Sequence, residues 1–353
     1  MLRFDFHESG EGETIVITFP GGGVGVVDAH PSPTASRPEI VELLRGKRVH
    51  FICLTHPHAD HGKDLERILR AGIEVESFWH TLSELKTFFY SLTQTKNYPG
   101  PLKDFVNSFR TDWARFLVSL FHAAQNVFNV PMHQLRADLE TMEFDGVEIS
   151  CLSPEESVQQ GFTAAYRRMA NSEPVEPPDK NGLSAILAVR YQGRVALLGA
   201  DALRENWRTA AIRYRKRGFP KAELLKVPHH GAKNAYLPNP IGHEANYLDL
   251  TASKPAGHSV LFAGDADHPA ESVYERLRAH TETACLVNGL MCPPVDRDPL
   301  KLAYIGARAV APARRICNPT ISYEIGDDGA LRRVAGVSCE ECPAGAAHPK
   351  EIA

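Results

Sequence analysis

The run His56-Pro57-His58-Ala59-Asp60-His61 sets three imidazoles and a carboxylate within six residues, directly after the apolar stretch Val49 to Leu54. An extended segment places His56 and His58 on one side, because side chains alternate with a period of two. Beyond Gly62, Leu65, Ile68 and Leu69 recur at helical spacing, so Asp60 and His61 stand where a strand hands over to a helix. A turn of this kind aims four donors at a space wide enough for two metal ions. Nitrogen and oxygen donors suit zinc, manganese or iron. A lone histidine is usually packed or solvated, but this spacing is that of a metal site.

Two later segments share the layout of an apolar strand that ends in a donor. Val195 to Asp201 ends in a carboxylate, and Leu224 to Gly231 carries the pair His229-His230. In an α/β sheet, strand ends gather at one edge, where separate loops can share a ligand. Asp201 by itself could equally cap the helix that follows it.

The rest of the chain fits that frame. Its 353 residues, 43% of them apolar, can bury a large core. A net charge of −4 argues against a strongly basic nucleic-acid binder. Seven cysteines without framework spacing argue for a reducing compartment. With no signal-peptide core and no apolar run of membrane length, the expectation is a cytoplasmic chain with no membrane partner. Thr14 to Phe19 and Val24 to Asp28 read as a hairpin around Pro20-Gly21-Gly22-Gly23. Residues 38–45 read as a helix, and strands are expected at 144–153, 183–189, 195–198, 224–227 and 260–263. Helices are expected at 203–217 and 269–279, and strands again after about 300. Between about 80 and 142, Phe88, Phe89, Leu92, Phe105, Phe109, Trp113, Phe116, Leu117, Leu120 and Phe121 recur at helical spacing, which predicts a helical insertion. The expected organisation is one domain over 1–338 and an irregular tail over 339–353. The lone Cys339-Glu340-Glu341-Cys342 reads as incidental.

Together these segments resemble the metallo-β-lactamase fold superfamily. Its His-x-His-x-Asp-His signature matches His56, His58, Asp60 and His61, its metal-bridging Asp matches Asp201, and its last His matches one of His229 and His230. A narrower resemblance is to the soluble hydrolase domain of competence (ComEC-like) DNA-uptake proteins and its stand-alone relatives. It rests on Gly10 to Ile17, Pro20-Gly21-Gly22, Val26-Val27-Asp28, Asn181 and Ser184, Leu225 to Gly231, and His268-Pro269. The resemblance covers about 1–79 and 144–290. It implies an α/β fold, an αββα sandwich with the helical insertion, and a cofactor of two divalent metal ions, zinc or manganese. The implied metal ligands are His56, His58, Asp60, His61, Asp201, and His229 or His230. Asp60 and His268 are the candidate catalytic groups, His268 as proton donor, as substrate contact or simply as a helix-start residue. Asp28 is either an acceptor that fixes a ligand imidazole or a strand-end turn residue.

One expected ligand, a further His before the bridging Asp, has no clear match. His80, His122, His133 and Asn181 are the candidates by position, with His80 and Asn181 the two carried forward. Between Asp201 and His229, Arg204, Arg208, Arg213, Arg215, Lys216, Arg217, Lys221 and Lys226 face only Glu205 and Glu223, which suggests a basic rim. The expected activity is a metal-dependent phosphodiesterase or nuclease acting on a nucleic acid or nucleotide. The alternatives are an ester, thioester or lactone hydrolase, and a metal-binding partner module without catalysis. A homodimer and an operon-encoded protein partner both stay open.

Overall fold

The computed structural model describes residues 1–32, 38–94, 113–137, 139–236, 246–262, 268–287 and 320–335. Their strands form two mixed sheets. The first runs in the order β15 (Leu331–Ala335), β14 (Thr320–Ile325), β1 (Leu2–His7), β2 (Ile15–Thr18), β3 (Val24–Val27), β4 (Val49–Leu54), β5 (Phe78–His80) and β6 (Met132–Gln134). The second runs β13 (Thr283–Val287), β12 (His258–Phe262), β11 (Leu224–Lys226), β10 (Arg194–Leu198), β9 (Ile186–Tyr191), β8 (Val147–Ser153) and β7 (Met142–Phe144). The helices are α1 (Ile40–Leu44), α2 (Lys63–Arg70), α3 (Leu85–Gln94), α4 (Trp113–His122), α5 (Glu156–Ala170), α6 (Arg204–Lys216), α7 (Tyr247–Leu250) and α8 (Glu271–His280).

Alternation along the strands sorts the apolar side chains into layers. Leu2, Phe4, Phe6, Phe51 and Cys53 of the first sheet meet Ile149, Cys151, Leu187, Val189 and Phe262 of the second in the central core. On the outer face of the first sheet, Leu65 and Ile68 of α2 and Leu117 and Leu120 of α4 pack on Val24, Val26, Ile52 and Leu54. Trp207, Ala210 and Tyr214 of α6 and Leu277 of α8 cover Leu197, Leu225 and Leu261 of the second. The layer order is helix, sheet, sheet, helix, which is the expected αββα sandwich. β4 is buried along its whole length, apolar apart from His50, because both its faces are covered. β1 alternates, because Arg3 on its outer face stays half exposed and bonds Asp5, Glu324 and Ser322.

In each sheet one half is parallel. β3 to β6 run parallel to one another, as do β10 to β13, and every other pairing is antiparallel. Parallel strands deliver their C-terminal loops to one edge, and antiparallel neighbours deliver the starts of β2 and β9 to that same edge.

Several elements depart from the expectation. β1 and α5 were not anticipated, since neither carries a strong turn or motif signal. Helices α3 and α4 fall inside the predicted helical stretch, but Met132–Gln134 and Met142–Phe144 are short strands that end one sheet and begin the other. The stretch 95–112 and the tail with Cys339 and Cys342 lie outside the described residues. The strands expected after 300 are β14 and β15. Among the described residues no helix is long and apolar enough to cross a membrane.

Candidate metal centre

Asp28 stands at the end of β3 with its backbone in the left-handed region (φ 53°). Its carboxylate is fully buried and already spoken for. Oδ1 accepts the Thr55 amide at 2.8 Å, while Oδ2 accepts the Thr55 hydroxyl at 2.7 Å and lies 2.7 Å from His61 Nδ1. A carboxylate at Nδ1 holds the imidazole proton there and leaves Nε2 free as a donor. The His61 Nε2 so exposed to the cluster lies 3.5 Å from Asp201 Oδ2 and 3.8 Å from Asp60 Oδ2.

The other groups close on the same point. His56 Nε2 lies 3.8 Å from Asp201 Oδ2 and 2.8 Å from His58 Nδ1, so two ring nitrogens face one another. Asp201 follows β10 and is buried, and its Oδ1 lies 3.9 Å from His230 Nε2. Donor atoms of His56, His61 and Asp201 all lie within 4.8 Å of one another, as do those of Asp60, His61 and His230.

The paired histidines part company. Pro228 to Gly231 forms a tight turn with His229, His230 and Gly231 all at positive φ, and a Cβ on Gly231 would sit 2.8 Å from the Pro269 Cβ. Only glycine fits that third position. The turn sends His230 inward and His229 outward, where its Nδ1 meets Asn234 at 2.9 Å and its Nε2 meets Asn181 at 3.3 Å. His268 stacks on His229 with ring centres 5.9 Å apart. Asn181 and His268 therefore border the cluster through His229.

His80 is a correction. It shares the face of Phe78 on β5, which is the face covered by α4, and its ring packs on Phe78 and Phe121. Burial pushes it down to about 3, and no donor group among the described residues includes it. His133 packs at a tilt beside Trp79 and His122 bonds Asn126, so neither enters the cluster. Half of the expected basic rim is spent on structure. Lys226 is fully buried beneath the cluster, Arg213 pairs with Glu155, Arg217 bonds Thr141 and the Leu139 carbonyl, and Lys221 bonds the Asp249 carbonyl. Glu13 is the buried carboxylate that the sequence reading missed: an oxygen of it lies within 4.8 Å of donors of Asp201 and His230. A signal was present, since the start of β2 must lie at the edge where β3 ends.

Electrostatics mark the same point. Burial drives His56 well below the usual imidazole range and His58 down to about 4. Burial also works to lower His61, but Asp201, Asp28 and Asp60 carry it well above that range. Asp201 is held well below the carboxylate range because His61 and His230 outweigh the effect of its burial. Meanwhile His61 Nε2, Asp201 Oδ1 and His230 Nδ1 are buried without hydrogen-bond partners. Each such orphan costs about 1–3 kcal/mol. Divalent cations would satisfy Nε2 and Oδ1 and balance the buried carboxylates, so the residues present fit zinc or manganese.

No protein-family model matches the sequence, and no curated protein does. Among solved structures, a mutant of CmlA β-hydroxylase aligns with 80% of this chain and 52% of its own, at 13% identity and a TM-score of 0.44. Zinc-bound PqqB from Methylobacterium extorquens aligns over 81% of this chain and 97% of its own, at 12% identity and a TM-score of 0.40. A diphosphatase of the PhnP family aligns over 80% and 94%, at 12% and 0.35. The chain spans about half the length of the CmlA hydroxylase chain. These likenesses are remote, and the chemistry below rests on the residues of this chain.

Proposed function

We propose that this chain is a metal-dependent hydrolase of phosphodiesters or nucleotides. The observation that carries the hydrolase reading is the convergence from two sheets of the buried His56, His61, Asp201 and His230, with the partly exposed Asp60 beside them and His58 facing His56. His56 and His58 with Asp201 would hold one divalent ion; Asp60, His61 and His230 with Asp201 would hold the other. Bound ions of this kind supply Lewis acidity that activates water and neutralises charge on a substrate's oxygens. Asp28 holds the His61 proton on Nδ1, so that Nε2 keeps its lone pair. Asn181 orients His229, and His268 stacked on it would pass a proton to the leaving group.

The anionic substrate class is supported by Lys180. It lies on the turn that carries Asn181, half-buried, with Nζ 4.3 Å from the centre of the Trp113 ring. Trp113 in turn donates its indole N–H to the Pro57 carbonyl, inside the metal motif. Burial lowers the Lys180 pKa and nearby Asp60 opposes that. A cation held at the lip of a dication cluster favours phosphoryl oxygens over an acyl chain. The three buried cysteines described, Cys53, Cys151 and Cys285, are free thiols and suit a reducing cytoplasm.

The test is hydrolysis of bis-p-nitrophenyl phosphate beside a p-nitrophenyl ester, with zinc or manganese, by wild type and Asp60→Ala. Diester turnover that falls at least ~100-fold in the variant is the expected result. Turnover of the ester alone would move the chain to the acyl hydrolases. Inactivity on both, with metal bound, would leave a binding module.

A further inference from the structure

The loop from β1 to β2 has no part in the reading above, yet it lies against the metal motif. A Cβ on Gly12 would sit 2.1 Å from the Asp60 carbonyl oxygen, so the loop backbone presses on the motif itself. The loop is also tied internally. The Ser9 hydroxyl bonds the Thr14 hydroxyl at 2.7 Å, and the His30 amide donates to Thr14 Oγ1 at 3.0 Å. Glu13, next in the loop, is fully buried, and its Oε2 has no hydrogen-bond partner. Its Oε1 pairs with the ammonium of Lys226, which is itself fully buried.

Lys226 joins two ligand-bearing segments to the loop between β1 and β2. Its own strand runs on into His229-His230. Its Nζ donates to the Ala200 carbonyl at 2.8 Å, one residue before Asp201, and Ala200 is held at φ 42°. Its third tie is Glu13. A Glu13 oxygen lies within 4.8 Å of donors of Asp201 and His230, and likewise of donors of Asp28 and His61. Asp28 already serves His61 Nδ1, whereas His230 Nδ1 is buried without a partner.

A buried ion pair is a poor way to gain stability, since well-packed apolar residues do as well or better. An ammonium beneath a cluster built for dications is poorer still, unless it does something an apolar residue cannot. Here it grips the carbonyl that presents Asp201, and Glu13 neutralises it from the side of His230. We propose that Glu13 and Lys226 are positioning residues of the metal centre, a buried pair that sets Asp201 and His230 at the spacing a dication requires. The N-terminal loop is then a working part of the site. This inference rests on the metal-centre reading and extends it to two residues outside the ligand set.

The test compares wild type with Glu13→Gln, Glu13→Asp and the apolar double variant Glu13→Met/Lys226→Met. Each chain is stripped with chelator, then titrated with zinc alone and manganese alone against a chromogenic chelator, with metal content and thermal midpoint read in parallel. In the double variant the midpoint stays near that of wild type while metal affinity falls at least ~10-fold, as for loss of a residue that orients ligands. Glu13→Asp keeps the charge Lys226 needs, so it folds, and it too loses affinity because the carboxylate is withdrawn by one methylene. Wild-type affinity and stoichiometry in the double variant, or in Glu13→Asp if the others do not fold, would reduce the pair to packing and overturn the inference. A wild type that takes up neither ion would instead sink the metal-centre reading itself.

Discussion

At the scale of single residues, the edge that carries the donors is also where the backbone is least relaxed. Asp28, Ala200, His229 and His230 all sit at positive φ, between 42° and 53°. For side chains other than glycine this costs roughly 1–2 kcal/mol each, and such residues gather at working sites. At Asp28 the return is three hydrogen bonds to one carboxylate. Asp28→Asn keeps the shape but can present its amide to His61 Nδ1, which favours the wrong tautomer. Zinc affinity should fall by about 10–100-fold while the thermal midpoint of the metal-free chain barely moves, as chelator competition and a melting curve would report. The turn at Pro228 makes an equally local distinction. His230→Ala should lower the zinc content of the loaded chain by about half, whereas His229→Ala should leave it unchanged and lower turnover alone. Equal zinc loss in both would contradict the inward and outward placement of the two rings.

At the scale of elements, helix α4 does more than cover the sheet. Phe116 lies where a Cβ on Gly62 would be, 2.5 Å from its ring, and Trp113 holds the Pro57 carbonyl and lies under Lys180. The helix thus meets the metal motif at Pro57 and just beyond it at Gly62. Lys180→Ala should raise KM for a phosphodiester several-fold and leave metal content intact, which steady-state kinetics beside metal analysis would show. The motif His56 to His61 was legible because one strand and one turn hold every donor in it. Asp201 was legible from the apolar strand before it. Lys226 was misread as part of a basic rim because charge was counted along the chain, while β11 is a strand flanked on both sides by parallel neighbours and has no exposed face. His80 misled for a related reason. A histidine at the end of a parallel strand resembles His56 in sequence, but its parity with Phe78 turns it under the helix. Glu13 was missed because Gly-Glu-Gly-Glu-Thr reads as a solvated turn, although the β2–β3 hairpin puts it at the edge where β3 ends.

At the scale of the whole molecule, the central layer holds the sandwich and the edge holds the chemistry. Phe6→Ala in the inter-sheet core should cost about 3–5 kcal/mol in a denaturant melt, with no change in metal stoichiometry of the molecules that remain folded. Zinc should raise the thermal midpoint, since a ligand at 100 times its Kd adds about 2.7 kcal/mol per site; a midpoint indifferent to zinc would mean that the cluster does not bind it in the native state. The donors are divided between the sheets: Asp28 to His61 belong with the first, Asp201 and His230 with the second. The first sheet is itself closed late, because β1 pairs with β14 across nearly the whole chain. On a ribosome, therefore, His56, His58, Asp60 and His61 emerge long before anything that can share an ion with them, and β1 must wait for its outer neighbour until synthesis is well advanced. A centre that draws on both Asp201 and His230 would reach its full donor set only after β11 has docked, while β12 to β15 are still to come.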